Sequence, residues 1–102
     1  METRLRLHDE LLSNFGVSNV YFDPPSGHEM EYPCFVYKFE KLRILRANNR
    51  IYRLFRGYAL TYITDDPDDD KTDEILNHFK HCSFDRPYVA DDLYHFVFTL
   101  YY

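Results

Sequence analysis

The stretch Arg56–Phe79, RGYALTYITDDPDDDKTDEILNHF, decides the fold because it combines three signals in one continuous run. In residues 58–63 aromatic and aliphatic side chains occupy both sets of alternating positions, a pattern typical of an interior strand with two covered faces. An acidic turn then ends the strand. Asp66 or Asp68 is expected to cap the next helix, and Pro67 suits its first turn, where no donor is needed. A strand that passes directly into a helix predicts a sheet with a helix laid over it.

Periodicity outside this stretch predicts the other elements. Leucines recur at helical spacing over residues 3–15, which indicates a first helix. Val17–Phe22 is a short apolar strand, and Cys34–Phe39 opens a second strand that continues as a charged arm. Asn48-Asn49 is the expected turn, because asparagine tolerates the left-handed backbone of a tight hairpin. Ile51–Thr64 returns as the third strand, and the two long arms predict a hairpin that projects from the body.

The C-terminal segment, Tyr94–Tyr102, alternates large aromatic residues with smaller ones. An exposed strand of this kind would aggregate, so we expect it inside the sheet with Phe96 and Phe98 in the core. Ser83–Asp92 contains Pro87 and is interpreted as an irregular connector. The predicted fold class is therefore α+β, in the order α-β-β-β-α-β. It comprises a mixed or antiparallel four-stranded sheet with two helices packed on it, and a long projecting β-hairpin, in a single domain over residues 1–102.

The composition is that of a globular chain, with 45% hydrophobic and 28% charged residues. The N-terminal residues do not resemble a leader, and no apolar run approaches the roughly 20 residues that span a bilayer. We therefore expect synthesis in the cytosol and no membrane partner. Cys34 and Cys82 lack C-x-x-C spacing and are interpreted as small, buried, unreactive residues.

Charge is unevenly distributed along the chain. The segment Lys38–Arg56 holds seven bases and a single acid, Glu40, whereas Asp65–Glu74 holds seven acids and a single base, Lys71. The net charge of −5 argues against a general nucleic-acid binder. The basic arm nevertheless leaves three interpretations open: a solvated surface, a contact with an acidic protein neighbour, or a contact with a nucleic-acid backbone.

No complete set of catalytic or metal-binding residues is found in the sequence. The acidic run Asp65–Asp70 could attract a hard cation, but Pro67 interrupts it and it lacks the spacing of an EF-hand loop. It is better interpreted as a solvated turn or an acidic patch for a partner. The pair His78-x-x-His81 has no second pair of ligands at suitable spacing. Nucleophile elbows and phosphate-binding loops are also missing, so we predict a protein that is not an enzyme and that needs no cofactor or metal.

Four segments together resemble a family of small neck proteins of long-tailed bacteriophages, the tail terminator or tail-completion group. They are VYFDPP (Val20–Pro25), YPCFVY (Tyr32–Tyr37), ITDDPDDD (Ile63–Asp70) and CSFDRPYVADDLYHFVFTLYY (Cys82–Tyr102), and the last is the most specific. The resemblance covers nearly the whole chain. It implies an α+β structural protein that forms a ring, typically six-fold, at the head-proximal end of the tail tube and joins the tube to the head connector.

The resemblance also implies the partners and the location. The partners would be further copies of the chain, a neighbouring neck or connector protein and the tail tube protein, with DNA passing through the lumen without specific binding. The protein would be found in the virion neck, and in the host cytoplasm during assembly. Alternatives are a head-closure neck protein, a small DNA-binding or regulatory protein that uses the basic hairpin, and a metal-dependent enzyme built on the aspartates.

The basic arm and the acidic run also suit a closed ring of identical subunits. In such a ring each copy presents one surface patch to a different patch on the next copy. The sequence therefore predicts a subunit interface formed by bases and apolar residues of the arm and by the acidic turn. Its members are Arg43, Arg46, Arg50, Ile51, Arg53, Leu54, Asp68, Asp69 and Asp70.

Overall fold

The computed structural model describes residues 2–25 and 27–102. It contains a five-stranded sheet with strand order β1-β2-β3-β5-β4. β1 runs parallel to β2, whereas the other neighbouring pairs are antiparallel, so the sheet is mixed and the α+β class is confirmed. The elements in chain order are α1 (Glu2–Asn14), β1 (Val20–Phe22), β2 (Cys34–Ala47), β3 (Arg50–Thr64), α2 (Lys71–His78), β4 (Cys82–Ala90) and β5 (Leu93–Tyr101).

Both helices cover the same face of the sheet. Leu7 and Leu11 of α1 are fully buried, as is Ile75 of α2. These side chains pack against alternate residues of the strands, among them Leu60 and Phe98. The apolar side chains that recur at helical spacing in α1 and α2 therefore pack against those that alternate along the strands. They form one core, as the pattern of the sequence predicts.

The second face of β3 differs from the prediction. Ala59 and Thr61 are only partly buried, while Tyr58, Leu60 and Tyr62 of the same strand are 2% exposed or less. The expectation that both faces are covered holds at Ile63, which is 5% exposed, but not at Ala59 and Thr61, because α1 and α2 both lie on the face that carries the tyrosines. β3 is nevertheless interior, since β2 and β5 flank it.

β4 is the element that the sequence prediction missed, so the sheet has five strands rather than four and the order α-β-β-β-α-β is incomplete. Residues 83–92 were expected to form an irregular connector, yet Cys82–Ala90 pairs with β5 along its length. A shift in register between Phe84 and Arg86 breaks the alternation, and Pro87 removes a backbone donor. Both features are tolerated because β4 is an edge strand.

Helix α2 begins later than predicted. Its first residue is Lys71, so Pro67 lies in the preceding loop and neither Asp66 nor Asp68 caps the helix. Asp70 occupies the N-cap position without a side-chain cap hydrogen bond. Asp66 instead accepts from the loop N–H of Asp68, and Asp69 accepts from the N–H of Lys71 at the start of the helix, because a short carboxylate side chain competes readily for nearby backbone donors.

The interior position of the C-terminal strand is confirmed, because β5 lies between β3 and β4. Phe98 is fully buried, as predicted, whereas Phe96 packs against the core but remains partly exposed. Neither helix in the described part of the chain is long and apolar enough to cross a membrane.

Candidate assembly interface

The hairpin formed by β2 and β3 extends past the rest of the sheet. β1 pairs with β2 only over Phe35–Tyr37, and the register between β3 and β5 begins at Gly57. Residues 41–56, which we call the arm, therefore form a ribbon that is two-stranded beyond its root, where the backbone of Arg56 still bonds to Tyr102. The arm contributes to a long axis of 50 Å against 27 and 24 Å in the other directions. Asn48 and Asn49 adopt φ values of 53° and 61°, as predicted for the turn.

The two faces of the arm differ in character. Leu42 and Ile44 of β2 share one face with Leu54, because Leu42 pairs with Arg56 and Ile44 with Leu54 in a continuous register. This is the face that the helices cover in the body, but here the leucines and isoleucines are exposed, Leu42 by 48% and Ile51 near the tip by 56%. We call these four residues the apolar stripe. Isolated exposed leucines are ordinary, whereas a row of apolar side chains along a projecting ribbon is unusual for the surface of a monomer.

The arm has no carboxylates, and its bases are unpaired within the described residues. Its six bases are Lys41, Arg43, Arg46, Arg50, Arg53 and Arg56. The ion pairs found in the described part of the chain lie elsewhere and join Lys71 to Glu74 and His78 to Glu10. The cations of the arm therefore repel one another, and among the described residues only Lys41 has carboxylates nearby, those of Glu40 and Asp85.

The acidic loop, residues 65–70, lies at the opposite end of the molecule. It follows the last residue of β3, while the arm contains the first. The 15 residues of β3 separate the two, and at about 3.3 Å per residue they span about 46 Å. Asp91 and Asp92, in the turn between β4 and β5, lie at the same end, because β5 pairs with the end of β3 through Tyr94 and Thr64. Each subunit therefore has a cationic end and an anionic end.

Not all aspartates of the acidic loop are free to meet a partner. The hydroxyl of Tyr62 donates a hydrogen bond of 2.6 Å to Asp69, whose other carboxylate oxygen accepts from the backbone N–H of Lys71 at 3.0 Å. Burial and the adjacent Asp69 raise the pKa of Tyr62 well above its usual range. Asp68 and Asp70 are exposed. Of the three predicted interface aspartates, Asp69 is thus a structural residue and the other two are accessible.

A cleft between the root of the arm and β5 was not predicted from the sequence. It has a volume of about 210 Å³ and lies beside a second cavity of about 350 Å³ near the end of α2. We call the smaller one the arm cleft. The guanidinium carbon of Arg43 lies 5.9 Å from the ring centroid of Tyr101, and that of Arg53 lies 5.6 Å from the ring of Phe55. The residues that line the arm cleft are Arg43, Leu45, Arg53, Phe55, His81 and Tyr101.

The histidines and cysteines show no arrangement of ligands. His78 packs edge-on against Phe15 and Phe79, whereas His81 packs against Phe55. No group of three or more His, Cys, Asp or Glu side chains among the described residues is placed to hold a metal ion. Cys34 is buried and Cys82 half-buried, and desolvation raises the pKa of each thiol to about 11. Both thiols are therefore protonated and weakly reactive at neutral pH.

The predicted interface residues fall into four groups in space. Arg43 and Arg53 line the arm cleft with Phe55 and Tyr101, which sequence reasoning missed because the cleft joins residues far apart in the chain. Within one subunit the arm and the acidic loop do not meet. The remaining residues are Arg46 and Arg50 near the tip, Ile51 and Leu54 in the apolar stripe, and Asp68, Asp69 and Asp70 at the anionic end.

Comparison of the chain with protein-family models, with curated proteins and with solved structures finds no match.

Proposed function

We propose that this protein is a structural subunit that assembles head to tail into a closed ring, and that the ring ends the tail tube of a long-tailed bacteriophage and joins it to the head connector. One observation carries the self-assembly: the bases of the arm and the aspartates of the loop lie at opposite ends of a 50 Å molecule. Because one subunit cannot bring them together, these charges can be neutralised by a second copy.

The two unlike ends of the subunit are compatible with a ring and with a two-fold dimer, and the resemblance of the four segments favours the ring. In a two-fold dimer the arm of each copy would contact the acidic loop of the other, so both patches would be used by two copies. A head-to-tail contact pairs the arm of one copy with the acidic loop of the next, and it leaves an open chain with one unused patch of each sign until the ring closes. The apolar stripe lies on the face of the ribbon opposite Arg43 and Arg53, and it supplies a second surface whose burial would hold the neighbouring copy after charge has guided it.

The role in the phage neck rests on the resemblance of the four segments quoted above. A tail terminator needs a rigid body that makes subunit contacts and docks on the tube, and it needs no catalytic group. A head-closure protein of the same neck would have the same needs. Assembly with purified tail tubes separates the two roles, because a terminator binds the end of the tube directly.

The test uses the purified chain at low salt, with light scattering for mass and electron microscopy for shape. We expect closed rings, and we expect the double variant Arg50→Glu/Arg53→Glu to remain folded by circular dichroism but to fail to form them. A parent protein that stays monomeric over the whole accessible concentration range would refute the proposal.

A second candidate function is binding to DNA through the arm. It is favoured by the positions of Lys41 and Arg43 over the ring of Tyr101, since cations combined with an aromatic platform suit nucleic acid. Retention on DNA that falls steeply with salt would support this candidate. Weak retention, together with ring formation, would support the structural role.

A further inference from the structure

The arm cleft has the features of a receptor for a protein segment. It opens at the root of the arm, and its floor is formed by the rings of Phe55, Tyr101 and His81. Arg43 and Arg53 flank it, each held over one of these rings. Cations placed in this way lose less conformational freedom on pairing than extended side chains on an open surface. The cleft therefore suits a segment with an apolar crest and carboxylates on either side.

The most exposed part of the acidic loop, which we call its crest, has this composition, with Pro67 between Asp66 and Asp68. The N–H of Asp69 donates to the carbonyl of Asp66 at 3.4 Å, which closes a turn with Pro67 and Asp68 at its two central positions. The side chain of Asp66 accepts a further bond from the N–H of Asp68. Pro67 is exposed between two aspartates, and these bonds, with the anchored Asp69, hold the crest in shape before binding.

We propose that the arm cleft of one subunit receives the acidic loop of the next subunit, with Pro67 against the aromatic floor and Asp68 and Asp70 facing Arg43 and Arg53. This inference rests on the proposed self-assembly and identifies the two surfaces that meet. The partner is a second copy because the stretch of β3 from Phe55 to Thr64, about 30 Å long, separates the complementary loop from the cleft of the same subunit. The tip of the arm, with Arg46 and Arg50, steers the approach without entering the contact.

Matched charge reversals test the cleft. Arg43→Glu/Arg53→Glu reverses the cleft, while Arg46→Glu/Arg50→Glu makes the same change in charge near the tip. We expect the cleft variant to raise the concentration for half-assembly by more than about tenfold and the tip variant by much less. At the anionic end, Asp68→Asn/Asp70→Asn should weaken assembly more than Asp91→Asn/Asp92→Asn, a control in which asparagine tolerates the positive φ of the turn.

Two further measurements make the assignment specific. Combining Arg43→Glu/Arg53→Glu with Asp68→Lys/Asp70→Lys should restore assembly, because the reversed surfaces complement each other again. The chain has no tryptophan, so Phe55→Trp places a single reporter in the cleft. Its fluorescence should shift to shorter wavelength on assembly as the loop excludes water from the ring.

The outcomes separate this inference from the proposed function. If the parent forms rings and the cleft variant forms them equally well, the inference is overturned while the structural role stands. Rings with unshifted tryptophan emission would overturn it in the same way. If the parent does not self-associate, both are overturned, and retention on DNA that is lost in Arg43→Glu/Arg53→Glu would assign the cleft to nucleic acid.

Discussion

At the scale of the residue, Asp69 shows how one carboxylate of an acidic run is committed to the fold. It accepts hydrogen bonds from the hydroxyl of Tyr62 and the N–H of Lys71, so it fixes the end of β3 to the start of α2. Tyr62 is 1% exposed, and its buried hydroxyl donates a hydrogen bond to Asp69. The hydrogen bonds of Asp69 thus fix the conformation of the acidic loop, and they keep Asp68 and Asp70 exposed at its surface.

Tyr62→Phe is predicted to destabilise the protein by about 1–3 kcal/mol, because it removes a donor from a partly buried carboxylate. The measurement is the midpoint of urea unfolding. Tyr88→Phe is the matched control, since Tyr88 is 42% exposed, and its effect should stay within about 0.5 kcal/mol. Equal midpoints for the two variants would contradict the anchoring role of Asp69.

The raised pKa values of the two cysteine thiols predict how the stability of the protein depends on pH. Desolvation raises the pKa of Cys34 and of Cys82 to about 11, above the ordinary value of 9.0. The folded state therefore holds these protons more tightly than the unfolded state, and its stability is full below about pH 9 and falls as pH rises toward 11. Thermal melts in the presence of a reductant should show this decline. Cys82→Ala should make it shallower, and a melting temperature that is level to pH 11 would rule the explanation out.

At the scale of the element, β5 determines whether the sheet holds together, because it bridges β3 and β4. Phe98 is fully buried at its centre and contacts the ring of Phe84 at 5.4 Å. Phe98→Ala should cost about 3–5 kcal/mol, the usual range for a core phenylalanine. Val89→Ala on the edge strand, where Val89 is 64% exposed, should cost very little. Melting of Phe98→Ala within a degree or two of the parent would be incompatible with this role.

The arm is predicted to be dispensable for folding. Arg43 and Phe55 form a register pair near its root, so residues 44–54 can be replaced by Asn-Gly, which favours a two-residue turn. The removed side chains are largely exposed, and the core residues lie elsewhere. The shortened protein should melt within a few degrees of the parent but should no longer form rings. Loss of the folded state on shortening would show instead that the arm stabilises the body.

The elements that sequence predicted well are those with regular patterns. Alternation over Tyr58–Ile63 and Tyr94–Tyr102 identified two of the three interior strands, and Asn48-Asn49 identified the turn by its backbone tolerance. β4 was missed because an edge strand needs no apolar alternation and tolerates Pro87. The start of α2 was misplaced because several adjacent aspartates could each act as a cap, and only tertiary contacts decide between them.

The candidate site was predictable only in part for a related reason. A run of bases and a run of acids are visible in the sequence, and their placement at opposite ends follows from the length of β3. The arm cleft is different, because it joins Phe55, His81 and Tyr101 across three elements through the sheet order. Since β4 was not predicted, the position of His81 beside the arm could not be inferred either.

At the scale of the whole molecule, the separation of charge predicts how assembly responds to salt. Exposed ion pairs contribute only about 0–1 kcal/mol each, so the arm and the acidic loop should guide the approach while the apolar stripe retains the bound subunit. The Debye length falls from about 10 Å at 0.1 M salt to about 3 Å at 1 M, which removes attraction at a distance. Association should therefore slow steeply with salt, whereas dissociation should change little.

Stopped-flow light scattering gives both rates and separates these contributions. Arg50→Glu/Arg53→Glu should slow association most at low salt. Ile51→Ser/Leu54→Ser, which leaves the charges in place, should instead speed dissociation at every salt concentration, because it reduces the apolar surface that is buried. If the association rate is indifferent to salt, the cations of the arm are a solvated surface that keeps the exposed edges of the ribbon from aggregating, and the head-to-tail arrangement loses its electrostatic basis.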